Sequence, residues 1–395
     1  MIKNSVILIP NISHNKQVCD YLEQTANILA QHDNKVFIIY QTQSFSVKEI
    51  IIKILTKRKL IISKKTNNIC YLYPIHLIPF KRIKLIQNIN AIIYSICIQL
   101  IIKAKHFNTN NHFIWMFFPQ LVQFIKIKLP FWKVIYDIVD LHTSPDHQKQ
   151  KQLTKQKQLL LKKSDFIMAN SYSLKNKYKF LTQKQISVVP QGFSYNDFNK
   201  KNEKTTIKLI NNKPLIGFVG QISQRLDSDL LEKLISQNQQ WNFIFIGPKH
   251  HETNISLNKK LAFFERIIKF SNCFWYQAQP RNQLAPIVEQ FDICMIPYDI
   301  NHDFNRYCYP MKIFEYFYMS KPVISTPIEE LKHKKFKHLI RIGNTAKEWE
   351  IHIKNLLKKP WPQHSKHLQK QMAISNSWEN KIEAISQIID GKIQE

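Results

Sequence analysis

A chain of 395 residues, 44% apolar and 12% aromatic, is long enough for about two domains with separate cores, and this composition excludes a disordered or fibrous protein. Its 57 basic and 28 acidic residues leave a net charge of +29, which points to anionic partners: phosphorylated substrates, a lipid surface or nucleic acid. The lysines are spread over both halves without an RNA-binding aromatic pattern, zinc-finger spacing or basic zipper, so nucleic acid is not an expected partner.

Met1–Pro10 is too short an apolar run for a signal peptide and reads as a strand over Ser5–Ile9. A helix near Val18–Ala30 and a strand at Lys35–Tyr40 follow. The uncharged run Leu85–Ile102 has about the length of a membrane span. Gln87, Asn88, Asn90, Ser95 and Gln99 within it favour a buried helix of a soluble domain. Strands at His112–Phe118 and Lys133–Asp137 flank a short helix. The helix Gln148–Lys163 then leads into strands at Phe166–Asn170 and Ile186–Val189.

After the lysine-rich connection Asn199–Asn212 a second series begins. Its strands fall at Leu215–Val219, Phe243–Ile246, Cys273–Tyr276, Ile293–Ile296 and Val323–Ser325. Helices lie near Ser228–Ser236, Leu284–Gln290 and Met311–Met319. Such alternation predicts α/β architecture with parallel, doubly wound sheets. Two Rossmann-like domains, residues 1–198 and 213–375, would face a central cleft holding the active site. The six cysteines (Cys19, Cys70, Cys97, Cys273, Cys294, Cys308) form no C-x-x-C pair, which fits reduced thiols in a cytoplasm. With only six glycines there is no P-loop and no complete dinucleotide fingerprint.

The stretch NRYCYPMKIFEYFYMSKPVIST, Asn305–Thr326, concentrates the chemistry. Pro310 suits the first helical position, and Lys312 and Glu315 project from one side of the first turns. Two readings are open for them: a surface ion pair on an ordinary helix, or a ligand site in which Lys312 meets an anion and Glu315 accepts hydroxyl hydrogens.

Several segments favour the second reading. PLIGFVGQISQRLDSDLLEKL, FIFIGP, LAPIVEQFDICMIPY and PMKIFEYFYMSKPVISTPIEEL resemble the nucleotide-sugar-binding half of GT-B glycosyltransferases. The resemblance is to bacterial family 4 enzymes of the kind that build surface polysaccharides. VIYDIVDLH, LLLKKSDFIMANSYSLKNKY and ISVVPQGFSYNDF resemble the end of that family's first domain. NSWENKIEAI is similar to its final helix, which would make residues 376–395 a segment crossing back to the first domain. The likeness runs from about Lys133 to Ile389.

By this resemblance, Glu315 would hold the donor ribose hydroxyls and Lys312 would offset charge on the departing diphosphate. The loop carrying Gly220, Ser223 and Arg225 would cover the diphosphate, and Ala278 and Gln279 would lie near the base. Gln221 and Leu226 stand where many members carry Arg and Lys, with Arg225 as the nearest substitute. Tyr307 stands where a second Glu is usual, leaving Asn305, Arg306 or Tyr307 to meet the sugar. Gln277 replaces a customary Gly. Pro10–Asn15 replaces the family's glycine-rich first loop, and His14 there reads as a surface residue.

On the acceptor side, Asp140 and His142 are the candidates to orient or deprotonate a hydroxyl, with Asp137 in or at the end of the preceding strand. For Asp140, capping or bracing the turn is the competing role.

These expectations describe a cytoplasmic hexosyltransferase-type enzyme taking a nucleoside diphosphate sugar and a glycan or lipid-linked acceptor. The resemblance implies retention of configuration, no cofactor and no obligatory metal, and the sequence offers no Asp-x-Asp motif in a suitable loop. A sugar-nucleotide epimerase of the same fold and a catalytically silent basic module remain alternatives. Gln148–Lys163, a lysine-rich helix without an acid, is the expected contact with an anionic membrane face. Compositional drift toward lysine explains it equally well.

Overall fold

The computed structural model describes residues 1–12, 20–40, 61–66, 68–74, 111–127, 132–194, 212–249 and 262–392, together with Ile89 and Phe198. It divides into two compact units: Met1–Pro190 with Trp378–Glu395, and Gln191–Ser377.

The first unit is built on strands β1 (Val6–Asn11), β2 (Lys35–Tyr40), β3 (Ile61–Thr66), β4 (Ile69–Pro74), β5 (His112–Met116), β6 (Trp132–Ile138), β7 (Phe166–Ala169) and β8 (Ser187–Val188). They pair in the order β3-β4-β2-β1-β5-β6-β7-β8. All pairs are parallel except β3 with β4. β1 is buried along its whole length, as a strand covered on both faces must be. The chain leaves β1 toward β2 and later resumes at β5 on the other side, so the order of winding reverses between β1 and β5, the point at which open α/β sheets bind ligands.

The β3–β4 hairpin was not expected. Ser63, Lys64 and Lys65 dilute the apolar signal of β3, which an edge strand tolerates because only one side is paired.

Helix ends follow the capping residues. The Asp146 side chain accepts the Lys149 amide and starts helix His147–Lys163, and the Ser171 hydroxyl does the same for helix Tyr172–Tyr178. Leu153, Leu160 and Leu161 bury the inner face of the first of these. Lys157 lies on that face too, its ammonium 5.4 Å from the centre of the Tyr178 ring. It is therefore not one of the exposed cations expected along this helix. Burial lowers it to about 8.

The last helix, Trp378–Ile389, belongs to the first unit. It packs beside helix Asp20–Gln31, and Ser386 accepts the Ile2 amide at 2.8 Å. Lys381 reaches Asp137 of β6 at 2.8 Å, both side chains essentially sealed from water. The Trp115 indole adds a long 3.4 Å contact to the same carboxylate oxygen. Asp137 is thus a structural residue.

The second unit has strands β9 (Leu215–Val219), β10 (Asn242–Ile246), β11 (Cys273–Tyr276), β12 (Ile293–Ile296), β13 (Val323–Ser325) and β14 (Arg341–Ile342), all parallel, in the order β11-β10-β9-β12-β13-β14. Its core is aromatic: Phe218, Phe243, Phe245, Phe264, Phe314 and Phe317 are buried. The reversal falls between β9 and β12.

This unit starts earlier than the expected boundary. Phe193 meets the Phe198 ring edge-on and the Tyr318 ring at a tilt, and its amide donates to the Asn376 carbonyl at 2.7 Å, so that Phe193 and Phe198 belong to the second core. Among the described residues no helix is long and apolar enough to cross a membrane. Leu85–Ile102, the run for which that question was posed, lies almost wholly outside them.

Removing one partner of the sealed pair strands the other charge in the interior. Lys381→Met is expected to destabilise the first unit by about 3–5 kcal/mol in chemical denaturation, and adding Asp137→Asn to recover most of that loss.

Lys157 gives a prediction with a definite sign. Its folded value lies below its ordinary one, so its charge opposes folding below about 8, and stability rises as pH climbs from there toward 10.5. Lys157→Met should stabilise the protein at pH 7 by about 1–3 kcal/mol. The melting-temperature gap between variant and wild type should narrow over the same window.

Candidate functional site

At the carboxyl end of β9 the chain turns through Gly220, whose φ of 151° lies outside the range that side chains normally adopt. Its amide donates to the Ile246 carbonyl at the end of β10, closing the two strand-end loops together. Gly247, at φ 149°, lies so close that a Cβ there would meet the Gly220 oxygen at 2.0 Å. A Cβ on Gly220 itself would stand 2.8 Å from both Cε and Nζ of Lys312. The bare backbone at Gly220 is what admits that lysine.

Lys312 opens the helix Lys312–Tyr318. Pro310 precedes the first helical residue by two positions, and its carbonyl accepts the Ile313 amide. With seven residues the helix is short, so the positive charge here comes from side chains more than from a helix dipole.

The Lys312 ammonium donates to the Tyr298 hydroxyl at 2.8 Å and lies 5.0 Å from the Phe218 ring centre. Among the described residues it has no carboxylate partner. Glu315 pairs instead with Arg281, at 3.5 Å. The surface ion pair between Lys312 and Glu315, one of the two sequence readings, does not form.

A second cation converges on Tyr298. The Arg225 guanidinium lies 4.5 Å from that ring's centre and 4.8 Å from Phe304. Asn305 fixes it there: the Asn305 Oδ1 accepts the Arg225 Nε–H at 2.9 Å, while Nδ2 donates to the carbonyls of Arg225 and Asp299. Asn305 is buried and therefore braces the loop. The Ser223 hydroxyl likewise accepts the Arg225 amide at 3.3 Å.

Arg306 is engaged by Glu329 at 3.0 Å and lies 5.7 Å from the Tyr307 ring centre. Tyr307 itself is half-buried. Ala278 is exposed and Gln279 partly so in the loop after β11. The structure thus gathers Gly220, Ser223, Arg225, Asn305 and Lys312 around Tyr298, and places Glu315 beside Arg281. Tyr298 and Arg281 were not singled out from the sequence. Tyr298 lies two residues past β12 in "MIPY", a strand-end position that could have marked it.

In the first unit, Asp140 and His142 lie in the loop after β6. Asn170 braces that loop through a 2.7 Å bond to the Val139 carbonyl. Burial lowers the His142 imidazole to about 4, opposed by its hydrogen bond to the Phe117 carbonyl and aided by the charge of Lys157. The ring is neutral at neutral pH. A carbonyl only accepts, so Nε2 carries the proton and Nδ1 keeps its lone pair. Burial pushes the nearby Tyr178 hydroxyl up to about 12, with the Asp140 charge contributing. His14 lies outside the described residues.

No protein-family model matches the chain. It is 23% identical over 146 residues to TuaH of Bacillus subtilis strain 168, named for a glycosyltransferase of teichuronic acid biosynthesis. That match takes in 36% of this chain and spans about a third of the relative's length, 35%. Solved structures match almost end to end. Sucrose-phosphate synthase from Thermosynechococcus elongatus superposes with a TM-score of 0.71 at 12% identity, covering 98% of each chain. Anabaena HepE in complex with UDP gives 0.68 at 12% identity over 99% of this chain and 100% of that one. HepE has also been solved with UDP-glucose. The chain therefore has the GT-B fold and, in sequence, resembles a bacterial glycosyltransferase of the surface-polysaccharide type.

Proposed function

We propose that the protein is a glycosyltransferase moving a sugar from a nucleoside diphosphate sugar to a glycan or lipid-linked acceptor in the cytoplasm. The carrying observation is Lys312: a half-buried ammonium beside a bare glycine turn, without a carboxylate partner among the described residues, sharing Tyr298 with Arg225. Two cations around one tyrosine at the switch point of a doubly wound sheet suit a diphosphate. The UDP and UDP-glucose complexes of HepE support a uridine donor for this chain.

In this reading Lys312 and Arg225 stabilise the charge that grows on the diphosphate as the glycosidic bond breaks. Glu315 accepts the ribose hydroxyls, its long contact to Arg281 leaving carboxylate lone pairs for them. Tyr307 is the group nearest in the sequence to take the sugar contact, since the Asn305 amide is held within the protein. Asp140 and the neutral His142 are proposed to face the acceptor hydroxyl, with Nδ1 able to receive its proton. Retention of configuration and independence of a metal belong to the same proposal and rest on the sequence resemblance.

A transfer assay over a panel of UDP sugars tests the activity, and product analysis separates transfer from epimerisation. Lys312→Ala should lower kcat by about 10–100-fold while weakening UDP binding less, because the leaving-group charge peaks in the transition state. A change in KM alone would reduce Lys312 to a binding group. Glu315→Gln should weaken UDP binding by about 1–3 kcal/mol in calorimetric titration, and wild-type affinity in that variant would remove the ribose assignment.

A further inference from the structure

The most one-sided charge in the described part of the first unit lies away from Asp140 and His142. From His147 to Lys184 the first unit carries ten lysines and one acid, Asp165. That carboxylate accepts the Val134 amide at 2.7 Å. Lys157 is buried and takes no part in the surface. The others are sorted by how the chain is tied together. The Lys184 ammonium donates to the carbonyls of Lys162 and Ser164, fastening the turn after helix Tyr172–Tyr178 onto the end of helix His147–Lys163. This tie places Lys184 at the end of helix His147–Lys163, where Lys162 and Lys163 stand.

At the tip of this basic group stands Phe180, 81% exposed, followed by Leu181 at 37%. Leu159, 46% exposed, lies one turn back along the helix from Lys162 and Lys163. The Lys179 ammonium sits 5.1 Å from the Phe180 ring centre. A phenylalanine held this far into water contributes nothing to the core, and scattered lysines do not account for it. An aromatic and an aliphatic tip ringed by lysines is the arrangement by which side chains enter a headgroup layer while their cations meet lipid phosphates.

The topology separates this surface from the catalytic candidates. Asp140 and His142 follow the carboxyl end of β6. The turn at Phe180 and the end of helix His147–Lys163 lie toward the amino ends of the parallel strands β7 and β8, the opposite edge of the sheet.

We propose that residues Lys179–Lys184, with the outer face of helix His147–Lys163, form the contact with an anionic lipid surface, Phe180 and Leu181 entering the headgroup layer. The proposal rests on the transferase reading for its purpose, which is to hold the enzyme where a lipid-linked acceptor resides. A polyanion such as nucleic acid would use the lysines but gives Phe180 and Leu181 no apolar phase to enter, so the lipid surface is the better fit.

The test is co-sedimentation of the full chain with vesicles of phosphatidylcholine alone and of phosphatidylcholine mixed with phosphatidylglycerol, at low and high salt. The wild type should bind the mixed vesicles, ignore the neutral ones and lose binding as salt rises. The pair Phe180→Ser with Leu181→Ser should lower the bound-to-free ratio about tenfold. The pair Lys162→Glu with Lys179→Glu should lower it at least as far, at about fivefold per lysine. Both variants should keep wild-type UDP affinity, measured in parallel; that measurement tests the transferase reading independently of the lipid contact. Equal binding to neutral and anionic vesicles, or binding untouched by the Phe180 and Leu181 changes, would overturn the proposal.

Discussion

Asp137 and Lys381 are 244 positions apart in the chain and meet at 2.8 Å with almost no exposure. Taking both charges out of water is costly, and their attraction offsets that cost only while the geometry holds. The pair therefore acts as a condition on the fold: the last helix must lie against β6, and the whole second unit is inserted between Pro190 and Trp378. The tie between Ser386 and the Ile2 amide belongs to the same seam, which joins both described ends of the chain to one sheet. A continuous first domain closed at residue 190 would leave Asp137 buried without its cation.

The second unit shows how little glycine two adjoining strand-end turns need. Two of the chain's six glycines sit at the ends of β9 and β10, and each removes a Cβ where another group must pass. At Gly247 that group is the Gly220 backbone, and at Gly220 it is the Lys312 side chain. The lysine is then held by a hydroxyl and ring faces, which leave its charge uncancelled. Arg225 meets the same tyrosine from a loop braced by Asn305, so the position of one cation depends on the other's scaffold.

A net charge of +29 has no single meaning in this molecule. Lys381 is sealed against Asp137, and Lys335 binds the buried Glu330 at 2.7 Å. Lys157 is buried over a tyrosine ring and adds to the lowering of His142 that burial causes. Lys312 faces a strand-end turn. Among the exposed lysines of the described residues, those around Phe180 stand apart because an apolar tip accompanies them. Burial and partner, both products of tertiary packing, decide which role each cation takes.

The sequence by itself determined the alternation of strands and helices, because apolar periodicity and capping residues such as Asp146, Ser171 and Asp227 act within a few positions of one another. It also marked Lys312, Glu315 and Gly220 as a group, since they occur in ordered motifs with a family resemblance. The β3–β4 hairpin escaped it because an edge strand carries a weak pattern. What only the tertiary structure decided were the partners. Lys312 and Glu315, three residues apart, looked like a pair; packing gives one to Tyr298 and the other to Arg281. Lys157 and Lys162 look alike in a run of lysines, yet the helix turns one into the core and the other into water. Contacts between residues far apart in the chain leave no local pattern to read, and they alone fix which charges are cancelled and which stay available to a ligand.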